Sequence, residues 1–222
     1  CEKPVCPRFV VHSSGSTGDP KIIPLGHKQL IQRCNLECAP LGVCRQDRIA
    51  SFSTLDYVTA KGWLLRSMSV GSAFAPSQGL ERMMAAFRLT FVSLTVFHLE
   101  QLLRNSSPTS SASLRNLRVM SVGSSTVTED LRARITARLC PNLHVQYGTN
   151  EVGWITVLYP DEMPLYPGSV GKIIPGVVVE IVDEKSQRLP AGEVGKIRIR
   201  SRGVFDGYLD DAEASRNALR DG

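Results

Sequence analysis

Residues 13–21 combine the side chains and the backbone freedom that a phosphate-binding loop requires. The segment reads Ser-Ser-Gly-Ser-Thr-Gly-Asp-Pro-Lys and follows a short apolar run at residues 9–11. Glycine lets a backbone approach a ligand closely, and exposed N–H and hydroxyl groups can surround phosphate oxygens. The segment is not a Walker A loop, because two residues separate Gly18 from Lys21. Composition alone leaves an ordinary Ser/Gly-rich turn as the alternative.

Two further segments place small or charged residues directly after predicted strands. Residues 121–125 read Ser-Val-Gly-Ser-Ser, and residues 147–153 read Tyr-Gly-Thr-Asn-Glu-Val-Gly. The carboxylate of Glu151 is a suitable ligand for a hard cation that bridges phosphate oxygens. The alternative interpretation of Glu151 is a solvated acidic residue of a loop.

An alternation of strand and helix patterns surrounds these segments. Strands are predicted at residues 9–11, 48–53, 72–75, 91–94, 117–122 and 143–147. Helices are predicted at residues 27–38, 58–69, 79–88, 97–104 and 128–139, and a surface loop at 105–113. This order predicts an α/β fold with a mostly parallel sheet flanked by helices. Because ligands of such sheets lie at the carboxyl ends of the strands, we expect the loops at 13–21 and 147–153 to open at one edge of the same sheet.

The pattern changes near Pro160. Residues 177–182 and 193–200 are rich in Val and Ile and are separated by glycines. We therefore expect an α/β portion over residues 1–160, followed by a small β-rich subdomain over residues 161–222.

Charge and hydropathy argue against two classes of partner. Lys and Arg total 26 and Asp and Glu total 21, which gives a net charge of +5. The basic residues are scattered, so the charge suits an anionic ligand and does not indicate a nucleic-acid-binding arm. The longest apolar run, at residues 89–99, is too short to cross a bilayer, which needs about 20 residues.

The number and spacing of the cysteines bear on the cellular compartment of the protein. Six cysteines occur without a C-x-x-C pair, and no His follows Cys34 and Cys38 at zinc-finger spacing. We expect free thiols in a reducing environment and no signal peptide, and hence a cytoplasmic location.

The segment at residues 13–21 resembles the phosphate-loop signature (S/T)-(S/T)-G-(S/T)-T-G-x-P-K of the adenylate-forming superfamily. That superfamily comprises acyl-CoA synthetases, nonribosomal peptide synthetase adenylation domains and luciferases. All nine positions of the signature fit. The resemblance implies that the loop binds the β- and γ-phosphates of ATP through Ser13, Ser14, Gly15, Ser16, Thr17, Gly18 and Lys21.

Three other segments resemble motifs of the same family, in the family's order. Residues 123–125 resemble a G-G-A/E turn that lies against adenine, although serines replace its last two residues. Residues 147–151 resemble Y-G-x-T-E, which implies that the Tyr stacks on adenine and that Glu151 holds Mg²⁺. The family's Thr, which faces the α-phosphate, is Asn150 here, and its amide can still donate a hydrogen bond. The ATP-binding residues implied by these two segments are Gly123, Ser124, Ser125, Tyr147, Gly148, Thr149 and Asn150. Residues 192–208 resemble a G-E-x-G-E-(I/L) … G-Y segment that is structural in the family, so we assign it no chemistry.

The resemblance implies that a carboxylate reacts with ATP to give an acyl-adenylate and pyrophosphate. The acyl group then passes to the thiol of CoA, or to the phosphopantetheine of an acyl or peptidyl carrier protein. Thr17, Lys21 and Mg²⁺ on Glu151 would offset the negative charge that develops during the reaction. The residues implied for the acyl pocket are Tyr57 at its gate and Val152, Gly153 and Trp154 in its wall. An ordinary core position is the equally good interpretation of Trp154.

Two parts of the family's pattern are missing from these 222 residues. The chain ends at Gly222, before the family's D-G-(W/Y)-x-x-T-G-D segment and before the small domain that carries a catalytic Lys. We therefore expect a middle portion of a larger enzyme that is inactive by itself. Two other functions stay open: a degenerate nucleotide-binding module, favoured by Asn150, and a basic surface that only binds polyanions.

Overall fold

A computed structural model describes residues 9–12, 20–76, 87–105 and 114–219. The strands in these ranges are β1 (Phe9–His12), β2 (Ile22–Leu25), β3 (Arg48–Ser51), β4 (Ala73–Pro76), β5 (Phe91–Thr95), β6 (Val119–Gly123), β7 (Leu143–Thr149), β8 (Gly153–Leu158), β9 (Lys172–Ile173), β10 (Val177–Val182) and β11 (Lys196–Ser201). The helices are α1 (His27–Cys38), α2 (Val58–Val70), α3 (Val96–Asn105), α4 (Glu129–Arg138) and α5 (Ala212–Ala218), with a 3₁₀ turn at Ala39–Leu41. Residues 13–19 of the predicted phosphate loop lie outside the described ranges. So do the predicted helix at 79–88 and the predicted loop at 105–113, apart from Phe87, Arg88 and Asn105.

Seven strands form one sheet in the order β4-β3-β5-β6-β7-β8-β9. The strands from β4 to β7 pair in parallel, whereas β8 and β9 add antiparallel strands at one side. The central strands β5 and β6 are buried almost throughout, as is usual where helices cover both faces of a parallel sheet. The predicted α/β fold with a mostly parallel sheet is confirmed.

The sheet has a hydrophobic core on each face. Along β5, Phe91 belongs to one buried cluster and Val92 to the other, because neighbouring side chains of a strand point to opposite faces. Leu99 of α3 and Ile135 of α4 pack in the cluster of Val92, whereas Trp63 of α2 packs in that of Phe91. Three of the predicted helices, α2, α3 and α4, therefore cover the two faces of the sheet.

The first strand lies elsewhere than its sequence suggested. We expected β1 to join the main sheet, but it pairs antiparallel with β2 in a separate two-stranded sheet. The apolar run of β2 follows closely in the chain and includes Pro24, which an edge strand tolerates. The inward side chains Val11, Ile23 and Leu25 form a third cluster with Phe205. The pairing with β2 and the contacts of this cluster therefore hold β1 apart from the large sheet.

The last third of the chain contributes to two sheets. β9 is the edge strand of the seven-stranded sheet, whereas β10 and β11 form an antiparallel pair of their own. The strand predicted at 177–182 coincides with β10, and the one predicted at 193–200 overlaps β11.

The described residues also bear on two predictions from composition. Cys34, Cys38, Cys44 and Cys140, which are the cysteines in the described ranges, are free thiols. Over the same ranges, each helix is too short or too polar to cross a bilayer.

Candidate active site

A cavity of about 1070 Å³ opens at the carboxyl edge of the large sheet. Thr95 at the end of β5, Ser124 after β6 and Gly148 near the end of β7 contribute to its lining. Side chains of β1, α1 and α2 close its other sides. A ligand site at this edge is expected for a parallel sheet with helical crossovers.

Most of the described residues that the motifs singled out line this cavity. They are Lys21, Tyr57, Ser124, Gly148, Thr149, Asn150, Glu151, Gly153 and Trp154. Within the described chain, the remaining residues, which do not contribute to the lining, are Gly123, Ser125, Tyr147 and Val152. The predicted phosphate-binding residues outside the described ranges are Ser13, Ser14, Gly15, Ser16, Thr17 and Gly18. We also expect Thr17 to lie near Glu151, and Thr17 is among the residues outside the described ranges.

Glu151 lies at the tip of the hairpin that joins β7 to β8. Thr149 pairs with Gly153 across the hairpin, and the register shifts between Tyr147 and Gly148. A Cβ at Gly148 would contact the Gly153 carbonyl oxygen and would lie 2.9 Å from Cα of Trp154. Glycine therefore allows the two backbones to approach at this irregularity. Such bulges are common next to active sites, where they redirect a side chain.

The buried guanidinium of Arg33 on α1 donates hydrogen bonds to the backbone of this hairpin. Its nitrogens donate to the carbonyl oxygens of Asn150 at 2.9 Å, Glu151 at 2.7 Å and Gly203 at 2.8 Å. Burial lowers the pKa of Arg33 to about 10, and the Glu151 carboxylate opposes that shift, so the group stays cationic at neutral pH. Motif reasoning missed Arg33. The signal for it was a charged residue on the same helical stripe as the buried Cys34.

A buried ion pair forms the inner wall of the cavity. Glu37 of α1, which is 2% exposed, pairs with Arg66 of α2. The Arg66 guanidinium lies over both indole rings of the Trp63–Trp154 pair, 4.9 and 5.0 Å from their centroids. Glu37 Oε1 also accepts a hydrogen bond of 3.0 Å from the Trp154 backbone N–H. Trp154 thus belongs to the core and lines the cavity, so both interpretations of this residue fit its position.

Asn150 connects the hairpin to the strand that leads into the predicted phosphate loop. Its side-chain Nδ2 donates to the carbonyl oxygen of His12 at 2.7 Å, and His12 immediately precedes Ser13 in the sequence. We expected β1 and β7 to belong to one parallel sheet, and that expectation was wrong, because β1 pairs only with β2 in the described chain. A hydrogen bond from the Asn150 side chain to the backbone of β1 connects the hairpin with this separate sheet.

Tyr208 connects the two charged groups that the motifs singled out. Its hydroxyl donates to Glu151 Oε1 at 3.0 Å, and the Lys21 ammonium lies 4.9 Å from its ring centroid. Lys21 Nζ is also 3.9 Å from a carboxylate oxygen of Asp211. We assigned no chemistry to the G-Y segment from its sequence, and Tyr208 was therefore missed.

The side chains of the site suit a metal ion only if a bound nucleotide supplies further ligands. In the described ranges no group of three His, Cys, Asp or Glu side chains is placed to hold a metal ion. Mg²⁺ is commonly bound by one or two carboxylates together with substrate phosphates and water. Glu151 therefore fits a Mg²⁺ ion that arrives with a nucleotide, and does not fit an all-protein metal cage.

Comparison with known proteins agrees with the fold and the motifs. The sequence profile of the family described as "AMP-binding enzyme" matches residues 2–209. Pyochelin synthetase PchE of Pseudomonas aeruginosa is 30% identical over 96% of this chain and 16% of its own length. Indoleacetate–CoA ligase of Aromatoleum aromaticum is 27% identical over 99% of this chain and 44% of its own length. The chain thus spans less than half of each of these relatives.

Solved structures resemble the fold closely. O-succinylbenzoate coenzyme A synthetase (MenE) of Bacillus subtilis, in complex with ATP and magnesium ion, has a TM-score of 0.85. It is 19% identical, with 96% of this chain and 45% of that one covered. The amide bond synthetase McbA of Marinactinospora thermotolerans has a TM-score of 0.84 at 26% identity, with 96% of this chain and 44% of that one covered. Because the family profile covers nearly the whole sequence, the resemblance noted from the motifs is confirmed, and the chain belongs to the family of AMP-binding enzymes.

Proposed function

We propose that the protein activates a carboxylic acid with ATP as an acyl-adenylate and transfers the acyl group to a thiol. The observation that carries the proposal is the position of Lys21 and Glu151 on one cavity, on two sides of Tyr208. A cation and a metal-binding carboxylate at the carboxyl edge of a parallel sheet suit a nucleoside triphosphate. Membership of the AMP-binding family supports the same reaction.

In the proposed reaction a carboxylate oxygen of the substrate attacks the α-phosphorus of ATP in line. A bond from that oxygen to phosphorus forms as the bond between the α-phosphorus and the bridging oxygen breaks, and pyrophosphate leaves. Such a displacement depends mainly on positioning and charge neutralisation. Lys21, Thr17 and the residues from Ser13 to Gly18 would hold the phosphates. Mg²⁺, when bound at Glu151, would neutralise charge on the phosphate oxygens.

The adenine and acyl groups would occupy the remainder of the site. Gly123, Ser124, Ser125, and the segment from Tyr147 to Asn150 would lie at the nucleotide, as the motifs imply. The acyl pocket would lie between Tyr57 and Trp154, with Val152 and Gly153 beside it. Tyr57 precedes α2 and is 66% exposed, which suits a residue at the mouth of the pocket.

The thiol acceptor completes the proposal. CoA is favoured by the relative named a CoA ligase, and carrier-protein phosphopantetheine by a relative named a nonribosomal peptide synthetase. A cytoplasmic location remains part of the proposal, because the described cysteines are free thiols.

A non-catalytic nucleotide-binding module is the second candidate, and Asn150 favours it. Asn150 occupies the position of the family's Thr, and its amide donates a hydrogen bond to the backbone carbonyl oxygen of His12. A module of this kind would bind ATP but would not transfer the adenylyl group.

Carboxylate-dependent exchange of labelled pyrophosphate into ATP tests the proposal in the full-length protein. We expect exchange that requires both an acid and Mg²⁺. ATP binding at about 0.15 M salt without exchange, for any of a broad panel of acids, would support the non-catalytic module. Binding that disappears steeply as salt rises would indicate a surface that merely attracts polyanions.

A further inference from the structure

Specific contacts of its ring and of its backbone hold Tyr208 in place. Its ring packs edge-on against Phe205 at 4.8 Å between centroids, in the cluster that includes the β1–β2 pair. Its backbone N–H donates to the hydroxyl of Ser215 on α5 at 2.8 Å. The next residue, Leu209, donates its N–H to the carbonyl oxygen of Ile22 on β2 at 2.8 Å. The ring therefore has little freedom to turn away from the cavity.

The hydroxyl of this fixed ring contacts the carboxylate that we propose as the Mg²⁺ ligand. It donates to Glu151 Oε1 at 3.0 Å. The bond engages one carboxylate oxygen and orients the other, which is the arrangement that a metal-binding carboxylate usually has.

The face of the same ring contacts the cation at the end of the predicted phosphate loop. Lys21 Nζ lies 4.9 Å from the ring centroid, a distance at which an ammonium group is attracted to an aromatic face. Asp211, three residues beyond Tyr208, lies 3.9 Å from the same ammonium. Tyr208 thus contacts Glu151 through its hydroxyl and Lys21 through its ring face.

We propose that Tyr208 is a positioning residue that orients Glu151 for Mg²⁺ and holds Lys21 toward the phosphates of ATP. The inference rests on the proposed function. Hydrogen-bond partners of metal-binding side chains typically contribute 10- to 100-fold to metal affinity. Tyr208 acts through Glu151 and Lys21, so its removal is expected to change how strongly Mg²⁺ and ATP bind together.

The test uses Tyr208→Phe in the full-length protein, with Tyr166→Phe as its matched control. Tyr166 is 53% exposed and lies outside the cavity lining. Calorimetry gives the ATP dissociation constant with EDTA and with saturating Mg²⁺. The ratio of the constant in EDTA to the constant in Mg²⁺ measures the coupling between ion and nucleotide. We expect about a 10- to 100-fold smaller ratio for Tyr208→Phe, and an unchanged ratio for Tyr166→Phe.

Two further variants separate positioning from a general structural effect. Tyr208→Phe should reduce the ratio much less in a Glu151→Gln background, because the hydroxyl acts through that carboxylate. Tyr208→Leu should also weaken ATP binding in EDTA by about two- to fivefold, because the aromatic face under Lys21 is lost. Thermal unfolding checks that each variant is folded at the temperature of the titration.

The outcomes distinguish this inference from the proposed function. If the wild-type protein binds no ATP, the proposed function fails and the inference fails with it. If the wild-type protein binds ATP with Mg²⁺ and Tyr208→Phe has the wild-type ratio, the proposed function stands, and the part of the inference that concerns Glu151 is overturned. Equal affinity of Tyr208→Leu and Tyr208→Phe for ATP in EDTA would overturn the part that concerns Lys21.

Discussion

Replacement of Glu151 by Gln is expected to keep the fold and to lower adenylation by about 10²- to 10³-fold. Gln has nearly the same shape and keeps an oxygen that can accept the Tyr208 hydroxyl, so the hairpin and its backbone bonds to Arg33 remain. The neutral amide binds Mg²⁺ poorly, because hard cations prefer charged oxygen ligands. The loss corresponds to the removal of one preorganised electrostatic group.

Pyrophosphate exchange as a function of Mg²⁺ concentration measures this effect in the full-length protein. Glu193→Gln removes the same charge from an exposed position and is the matched control. We expect Glu193→Gln to retain wild-type exchange. An unchanged Mg²⁺ dependence in Glu151→Gln would show that Glu151 is not the ligand, whatever the remaining activity.

The second large effect is expected from Glu37→Ala, which should lower the free energy of unfolding by about 3–5 kcal/mol. The substitution leaves the buried charge of Arg66, which lies over two indole rings, without its carboxylate partner. The backbone N–H of Trp154 also loses the oxygen that accepts its hydrogen bond. Uncompensated charge in a buried site is among the costliest single changes in a protein core.

Urea unfolding, together with hydrogen exchange of the α1 and α2 amides, measures this loss. Glu100→Ala removes a carboxylate from an exposed pair with Arg104 on α3, and should cost about 0.5 kcal/mol or less. The double replacement of Glu37 and Arg66 by Leu should be far less destabilising than Glu37→Ala, because no charge is left unpaired. A Glu37→Ala variant as stable as Glu100→Ala would contradict the importance of the buried pair.

The sequence by itself determined the family and the main elements, and it supplied the hypothesis about the chemistry of the motifs. The helix predicted at residues 27–38 coincides with α1, because its apolar residues recur at helical spacing. The apolar strands β5 and β6 were recognisable because both faces of a central parallel strand are buried. Glu151 could be proposed as a Mg²⁺ ligand because residues 147–151 resemble a family motif in which a Glu has that role.

The tertiary structure alone decided how these parts meet. Nothing local in the sequence indicates that Arg33 reaches Gly203 170 positions away, or that Tyr208 contacts Glu151. Periodic patterns report which side of an element is buried, whereas a hydrogen bond between distant side chains depends on how whole elements pack. The motifs therefore named the charged groups of the site, and the packing of α1, the β7–β8 hairpin and the segment around Tyr208 set their relative positions.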